Sequence, residues 1–500
     1  MVGKESSKTR FNQFIDTKEN LIVILILLFG FFLRFIRIGV REIAYDDAFS
    51  FFLASKRFSE IVQGTVADTM PPLYYFLLNL IEQLSHRLWV LRSLNVIINL
   101  ITIFLIFLIV KELSNKKAGY IAILLAAGSP FLIYHSQELR MYSILLFGQV
   151  GYLFSLIKLF KIESNNKIWI ILSIIFGTIA LYSHNLAIAG LLACNFIIFL
   201  RKNQRNFYRL FFIQICLLIL FIPWIIYLPQ QISKVQTAFW TVRPGLIEIL
   251  QSILTLFGFA PMKLWQMAIV IIVFTQNLIM VTLWIKKTKN YKLWLLSTVG
   301  FVPPVLLFFI SYLAIPVFVP RIFILSTVIA YMVIGVFIVS NWEQLIGKLS
   351  LISCLLIISI SLPEFYKYQS FPRSPFREAI AFIQTDGIGE KIILHDNKLS
   401  YFPMMFYDNN LPQFYLADYT GTENDTLDLT SQKVLGHLAI NDISTFDLPK
   451  EILFITFQQT ELEFKNLGIS NPNITYLETY YPKGYLYQTI GDINIYKYYQ

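Results

Sequence analysis

Apolar runs long enough to cross a bilayer recur along this chain, and nothing constrains its fold more. About 17–25 consecutive apolar residues form a helix that spans the ~30 Å of hydrocarbon in a membrane. Of the 500 residues, 56% are hydrophobic and 14% charged, 45 are Phe, and the mean hydropathy is +0.61. A soluble chain rarely sustains such values, so the sequence reads as a polytopic α-helical membrane protein. The net charge of +10 divides unevenly. From residue 364 onward there are ten Lys/Arg against 17 Asp/Glu, whereas residues 1–363 hold 31 basic and 14 acidic residues. The basic excess therefore lies in the membrane part, where Lys and Arg orient helices, and nucleic acid is not an expected partner. The three cysteines, Cys194, Cys216 and Cys354, fall inside apolar runs. Their count and spacing exclude a disulfide framework and a zinc site. No small-residue cleavage site follows the run at 21–38, which reads as a retained first helix.

Spans are expected at roughly 21–38, 93–110, 118–135, 143–160, 168–183, 185–200, 208–228, 265–285, 293–313, 321–340 and 347–363. The loops KELSNKK (111–117), KIESNNK (161–167), RKNQRNFYR (201–209) and KKTKNYK (286–292) are basic and are assigned to the cytoplasm by the positive-inside rule. The segment PPLYYFLLNLIEQL (71–84) is apolar but only about 14 residues long, a length that suits an interfacial helix. Laid on the outer surface, it leaves about 11 transmembrane helices running from a cytoplasmic N-terminus (1–20) to an external C-terminus. The membrane module is then 21–363, with juxtamembrane helices in a first outer loop over 39–91. The tail, 364–500, reads as a small extracytoplasmic α/β domain. It opens with a helix over 375–385 and continues with strands in KIILHDN (391–397), EILFITF (451–457) and around 494–499. The tail carries no nucleophile elbow, phosphate loop or metal-ligand spacing, so a guiding or stabilising role is expected for it.

The chemistry is placed by its acids. No aspartate occurs between Asp68 and Asp386, and three of the four before that gap, Asp46, Asp47 and Asp68, fall in one segment directly after the first apolar run. Carboxylates beside a bilayer are costly to desolvate and mark functional sites. The topology gathers Asp46, Asp47, Asp68, Arg92, Gln137, Glu138, Arg140, Tyr142, His184, Arg243 and Arg321 on one membrane face. Arg34, inside the first span, is expected to face protein.

The order of motifs then carries a resemblance. YDDAFS (45–50) follows an apolar helix, and DTMPPLYY (68–75), LRSLN (91–95) and SPFLIYHSQELRMYS (129–143) follow in turn. Over roughly 41–200 this resembles the GT-C superfamily of membrane glycosyltransferases. Within it, the chain is similar to the bacterial, glycosyltransferase family 39-like branch of dolichyl-phosphate-mannose–protein mannosyltransferases and the lipid A aminoarabinose transferase. The resemblance implies a GT-C-like fold in a plasma membrane. It also implies inverting transfer of a sugar from a polyprenyl-phosphate donor lipid to a lipid, protein or glycan acceptor on the outer face. The family commonly has an Asp-Glu pair where this chain has Asp46-Asp47. Met70 stands where a His often precedes the two prolines, and the lysine of the aminoarabinose enzymes is missing.

Such a transfer needs a base for the acceptor hydroxyl and cations for the departing phosphate. Asp46 is assigned as the base. Asp47 is the alternative base or an orienting neighbour, and either acid also suits the start of the helix that follows. Asp68 is assigned to sugar or acceptor hydroxyls, and Arg140, Arg92 and Arg321 to phosphate. Gln137, Glu138, Tyr142 and His184 complete the substrate-binding set. No metal or other cofactor is expected. The competing reading is a non-catalytic lipid or glycan transporter or scaffold of the cell envelope. Transporters usually carry internal repeats and broken mid-membrane helices with buried ions; the sequence shows no repeat, and its acids cluster at the surface, not at the midplane.

Overall fold

The computed structural model describes residues 18–161, 166–238, 241, 243–259, 261–387, 391–418, 426–445 and 449–500. The N-terminal residues 1–17, part of the expected cytoplasmic segment, lie outside them. The described residues start with α1 (Lys18–Phe35). Three short helices follow: α2 (Tyr45–Ala54), α3 (Phe58–Ala67) and α4 (Leu73–Glu82). Pro71 and Pro72 precede α4, and ten helical residues reach only ~15 Å, too little to cross. The segment at 71–84 is therefore a non-crossing helix.

The bundle continues through α5 (Leu88–Leu113), α6 (Lys116–Gly128), α7 (Pro130–Ser136), α8 (Tyr142–Lys161), α9 (Asn166–Ser183) and α10 (Ala187–Cys194), which a 3-10 turn extends to Leu200. It is completed by α11 (Gln204–Ile225), α12 (Leu228–Ala238), α13 (Leu246–Phe257), α14 (Leu264–Thr288), α15 (Tyr291–Leu313), a 3-10 turn (Pro320–Phe323), α16 (Ile324–Ser340) and α17 (Leu345–Lys367). Every expected span is helical. Among the described residues, however, seven helices are long and apolar enough to cross a membrane, or eight if the bent pair α6–α7 is one span. The expected count of about 11 is thus not met at full length. The helices over Asn20–Phe35, Lys167–Ser183 and Ala187–Leu200 are apolar but shorter, and the turn at His184-Asn185 divides what would otherwise be one long run. The protein is a multi-pass membrane protein.

Two spans form the centre. Within their most apolar windows, 83% of Tyr142–Phe160 and 78% of Pro320–Ser340 are enclosed by protein, against 22% for Gln204–Ile225. Small residues permit the close approach this requires. A Cβ on Gly335 of α16 would lie 2.9 Å from the Ala118 carbonyl oxygen of α6, and one on Gly148 would lie 2.7 Å from the Ala180 nitrogen of α9. Arg34, fully buried within α1, faces protein as expected. It donates to Asn99 Oδ1 at 3.0 Å and to the carbonyl of Ala127 at 2.9 Å.

After α17 the chain builds a mixed sheet. The elements are α18 (Phe376–Asp386), β1 (Ile392–His395), α19 (Lys398–Tyr407), β2 (Gln413–Tyr415), α20 (Leu429–Leu435), β3 (Glu451–Phe457), α21 (Gln458–Asn466), α22 (Pro472–Tyr480), β4 (Lys483–Ile490) and β5 (Ile493–Tyr499). The strand order is β2-β1-β3-β5-β4. β1 is parallel to β2 and β3, and β5 is antiparallel to β3 and β4. This domain rests on the short helices at one end of the bundle. Phe406 meets Phe51 edge-on with ring centroids 4.8 Å apart, and Tyr407 accepts a hydrogen bond from the Ile43 amide at 3.2 Å.

Candidate active site

Two local breaks in the helices create the site. At Ser129-Pro130 the chain bends by 60° between α6 and α7. Proline has no N–H to continue a helix but suits a first position. α7 then ends at Ser136, and residues 137–141 run as irregular backbone before α8 starts at Tyr142. Opposite this segment lies the first turn of α2, which carries Asp46 and Asp47. Successive residues on a helix point ~100° apart, so the two neighbouring acids face different surroundings.

Asp46 keeps partial exposure and faces a group of cations and rings. Its Oδ2 accepts from Arg321 Nη1 at 3.1 Å, and the two side chains retain 38% and 28% exposure. Arg321 also lies 5.7 Å from the centre of the Tyr142 ring. Arg140 is buried, within 3.4 Å of both Ser50 Oγ and Tyr75 OH, to which its Nη1 donates. Among the described residues its Nε has no hydrogen-bond partner, nor has the buried Tyr142 hydroxyl. Polar atoms left bare in a protein interior are unusual. Desolvation opposes ionisation of Asp46, but Arg140 and Arg321 outweigh it and hold the carboxyl below its ordinary range. Near neutral pH it is a carboxylate. His184 is buried too, and its Nδ1 accepts from the Leu186 amide at 3.1 Å. Burial, reinforced by Arg321 and Arg140, pushes His184 down to about 3, so the imidazole is neutral. Asp68 ends α3, half-buried, within electrostatic reach of Arg140.

Asp47 faces the interior and is fully buried. Its Oδ2 accepts from Arg373 Nη1 at 2.7 Å and from the Ala44 amide at 3.2 Å, with Arg92 Nη2 3.9 Å away. Its Oδ1 accepts from the Leu139 amide at 2.9 Å. The contact with Ala44 is a carboxylate reaching back over the start of its own helix, where the orphan amides favour it. Arg92 and Gln137, expected to bind substrate, instead close off backbone. Arg92 donates to the carbonyls of Ile38, Arg41 and Glu42 at 2.8, 2.9 and 3.2 Å. Gln137 donates to those of Arg34 and Ile36 at 2.8 and 2.9 Å. Glu138 sits between the two groups. Its Oε2 is 2.7 Å from His135 Nδ1 and its Oε1 is 3.4 Å from Arg373 Nη2. Burial works against its charge, but His135 and Arg373 prevail and keep it ionised.

The structure thus brings Asp46, Asp68, Arg140, Tyr142, His184 and Arg321 to one cluster, in which Asp46, Asp68 and Arg321 keep partial exposure while Arg140, Tyr142 and His184 are buried. Asp47, Arg92 and Gln137 form a buried support behind it, and Glu138 lies at the seam. Arg243 is exposed. Sequence reasoning missed Arg373 and gave no weight to Tyr75. Arg373 stands just past the last apolar run, among prolines and serines, with no pattern to mark it.

A cavity of about 640 Å³ runs between α13, α14, α15, α16 and α17. Val273 and Lys286 of α14 both line it, a separation of ~20 Å along a helix. Phe318 and Phe323, on either side of Arg321, line it near the cluster. The cavity is thus a mostly apolar groove that passes the phenylalanines flanking Arg321.

Residues 69–227 match the family model described as dolichyl-phosphate-mannose-protein mannosyltransferase. No curated protein sequence matches the chain. Among solved structures, the fold is similar to ArnT from Cupriavidus metallidurans in the apo state, with 10% identity, a TM-score of 0.60 and coverage of 95% of this chain and 97% of that one. ArnT bound to undecaprenyl phosphate gives 11% identity, a TM-score of 0.59 and the same coverage. The archaeal oligosaccharyltransferase AglB from Archaeoglobus fulgidus, in complex with an inhibitory peptide and a dolichol-phosphate, gives 11% identity and a TM-score of 0.52 over 91% of this chain and 71% of that one. The GT-C resemblance drawn from the motifs is therefore met twice. The family model covers 69–227, and over nearly the whole chain the fold, as a fold, is ArnT-like.

Proposed function

We propose that this protein is an inverting glycosyltransferase that moves a sugar from a polyprenyl-phosphate carrier to an acceptor hydroxyl on the extracytoplasmic side of the membrane. The observation that carries the reading is the pairing of one accessible carboxylate, Asp46, with two guanidiniums from distant parts of the chain. Asp46 takes the proton of the acceptor hydroxyl as its oxygen attacks the anomeric carbon. The bond from that carbon to the phosphate oxygen breaks on the opposite face, and the phosphate leaves with the electron pair. Arg140 and Arg321 meet the charge that grows on it, as positioned cations in a partly dry site do. With no donor bound, Arg321 pairs with Asp46. A phosphate drawn to Arg321 would loosen that pair and release the carboxylate for its task as base.

The groove past Phe318 and Phe323 fits the apolar chain of the carrier, with its phosphate brought to Arg321. Asp68, Tyr142 and neutral His184 are assigned to sugar and acceptor hydroxyls. The basic loops argue for a cytoplasmic opposite face, which leaves the cluster and the C-terminal domain outside. The polar groups gather at one end of the bundle, whereas a transporter would hold them at the midplane.

The test is a mass-spectrometric assay of purified protein in liposomes with a pool of polyprenyl-phosphate-linked sugars and a membrane extract as acceptor source. Conversion of a sugar-bearing carrier to free polyprenyl phosphate is expected. A pool that returns unchanged under every acceptor tried would count against the enzyme.

A further inference from the structure

The segment leading from α17 into α18 reaches back into the bundle with one side chain, Arg373, only 1% exposed. Its Nη1 donates to Asp47 Oδ2 at 2.7 Å and to the Glu42 carbonyl at 2.7 Å, and its Nη2 lies 3.4 Å from Glu138 Oε1. The guanidinium stands 5.2 Å from the centre of the Tyr134 ring. One planar fork thus ties together two buried carboxylates and a carbonyl, a geometry an ammonium cannot reproduce. Both carboxylates adjoin the cluster. Asp47 follows Asp46 directly, and it also accepts from the Leu139 amide, one residue before Arg140. Glu138 lies on that same segment.

Arg373 is itself set from the sheet. Asp492, at the entry to β5, accepts from the Phe371 amide at 2.6 Å and from Ser374 Oγ at 3.0 Å. A continuous path of hydrogen bonds therefore runs from the β-sheet through Asp492, the 371–374 segment and Arg373 to the backbone on both sides of the cluster. We infer that Arg373 is a positioning residue for transfer. It fixes Asp46 and Arg140 relative to one another by bridging Asp47 and Glu138, so the C-terminal domain completes the reacting geometry. The role rests on the function proposed above, and its expected size follows from the sensitivity of such reactions. A displacement of about 1 Å at reacting groups costs about a hundredfold in rate.

The experiment compares wild type with Arg373→Gln, Arg373→Lys and Asp492→Ala, each in the full chain. For Arg373→Gln, kcat is expected to fall about a hundredfold, with KM for the carrier changed by less than about threefold, because neither Arg140 nor Arg321 is touched. Arg373→Lys keeps a charge near Asp47 but cannot bridge both carboxylates, and should recover part of the loss. Asp492→Ala, which alters nothing in the bundle, should lower kcat by a smaller factor. Hydrogen exchange at the Ala44 and Leu139 amides, both donors to Asp47, should quicken in Arg373→Gln and slow again in Arg373→Lys. This readout needs no turnover. Should Arg373→Gln fail to fold, the other two variants carry the test. Wild-type kcat in all three variants, or unchanged exchange at both amides, would overturn the inference. A wild-type protein with no transfer at all would instead remove the functional reading while the exchange result still stood.

Discussion

Asp46 and Asp47 are neighbours on one helical turn, yet the molecule treats them oppositely. Asp46 keeps a partly exposed side chain and a guanidinium partner that is itself partly exposed. Around it, Arg140 Nε and the Tyr142 hydroxyl are left without partners. Asp47 is sealed, with two amides and two guanidiniums about it. The contrast separates a place built to receive something from a place built to hold still. Unsatisfied groups beside a partly exposed carboxylate suit a ligand, whereas a saturated, buried network fixes geometry.

The most damaging way to test the contrast is to remove the sealed acid. Asp47→Ala leaves Arg92 buried without its carboxylate and Arg373 with Glu138 alone, and breaking such a network costs about 3–5 kcal/mol. A markedly lower unfolding temperature in detergent is expected, whether or not donor lipid is present. A variant as stable as wild type would erase the distinction drawn here. Next in size is Arg321→Gln, expected to slow transfer about tenfold or more by loss of one charge-stabilising group. It should also move the pH profile. Asp46 acts as a base only when ionised, so activity is present above its pKa and lost as pH falls through it. Arg321 helps hold that pKa below the ordinary carboxylate value, so its removal raises the pKa and the acid limb should shift to higher pH. An unmoved limb would detach Arg321 from the base. The mildest change is Tyr142→Phe. The hydroxyl has no hydrogen-bond partner among the described residues, so stability should hold or rise slightly, since a buried unpaired polar group is a cost. Any loss should appear as a few-fold rise in KM. A large drop in stability would mean that the hydroxyl has a structural partner.

Much of this architecture was legible because it depends on local pattern. The long apolar runs became helices, although 118–135 is broken at Ser129 and 185–200 opens on a turn, and 71–84 became a helix of ten residues, shorter than a span needs. The runs IILH and EILFITF became β1 and β3, and the end of the chain became β5. β2 has three residues and β4 is exposed along most of its length, so neither carries the buried pattern that announces a strand. The division between the two acids was not legible. It depends on Arg373, which lies 326 residues from Asp47, and on a helix start whose angle no local rule supplies. Arg92 and Gln137 looked like ligand-binding residues because they are polar at the expected face. They serve the carbonyls released where α1 ends and the chain turns, a need common to helix termini but visible only once the turn is known.

The division of labour between the paired acids is most directly tested by measuring release of free polyprenyl phosphate by wild type and Asp46→Asn under the same conditions, with carrier binding and unfolding temperature recorded for both. Loss of a positioned general base removes about 10²–10⁴ in rate. The expected result is release lowered by that factor, with binding and stability retained. Equal release by the two proteins would contradict the account.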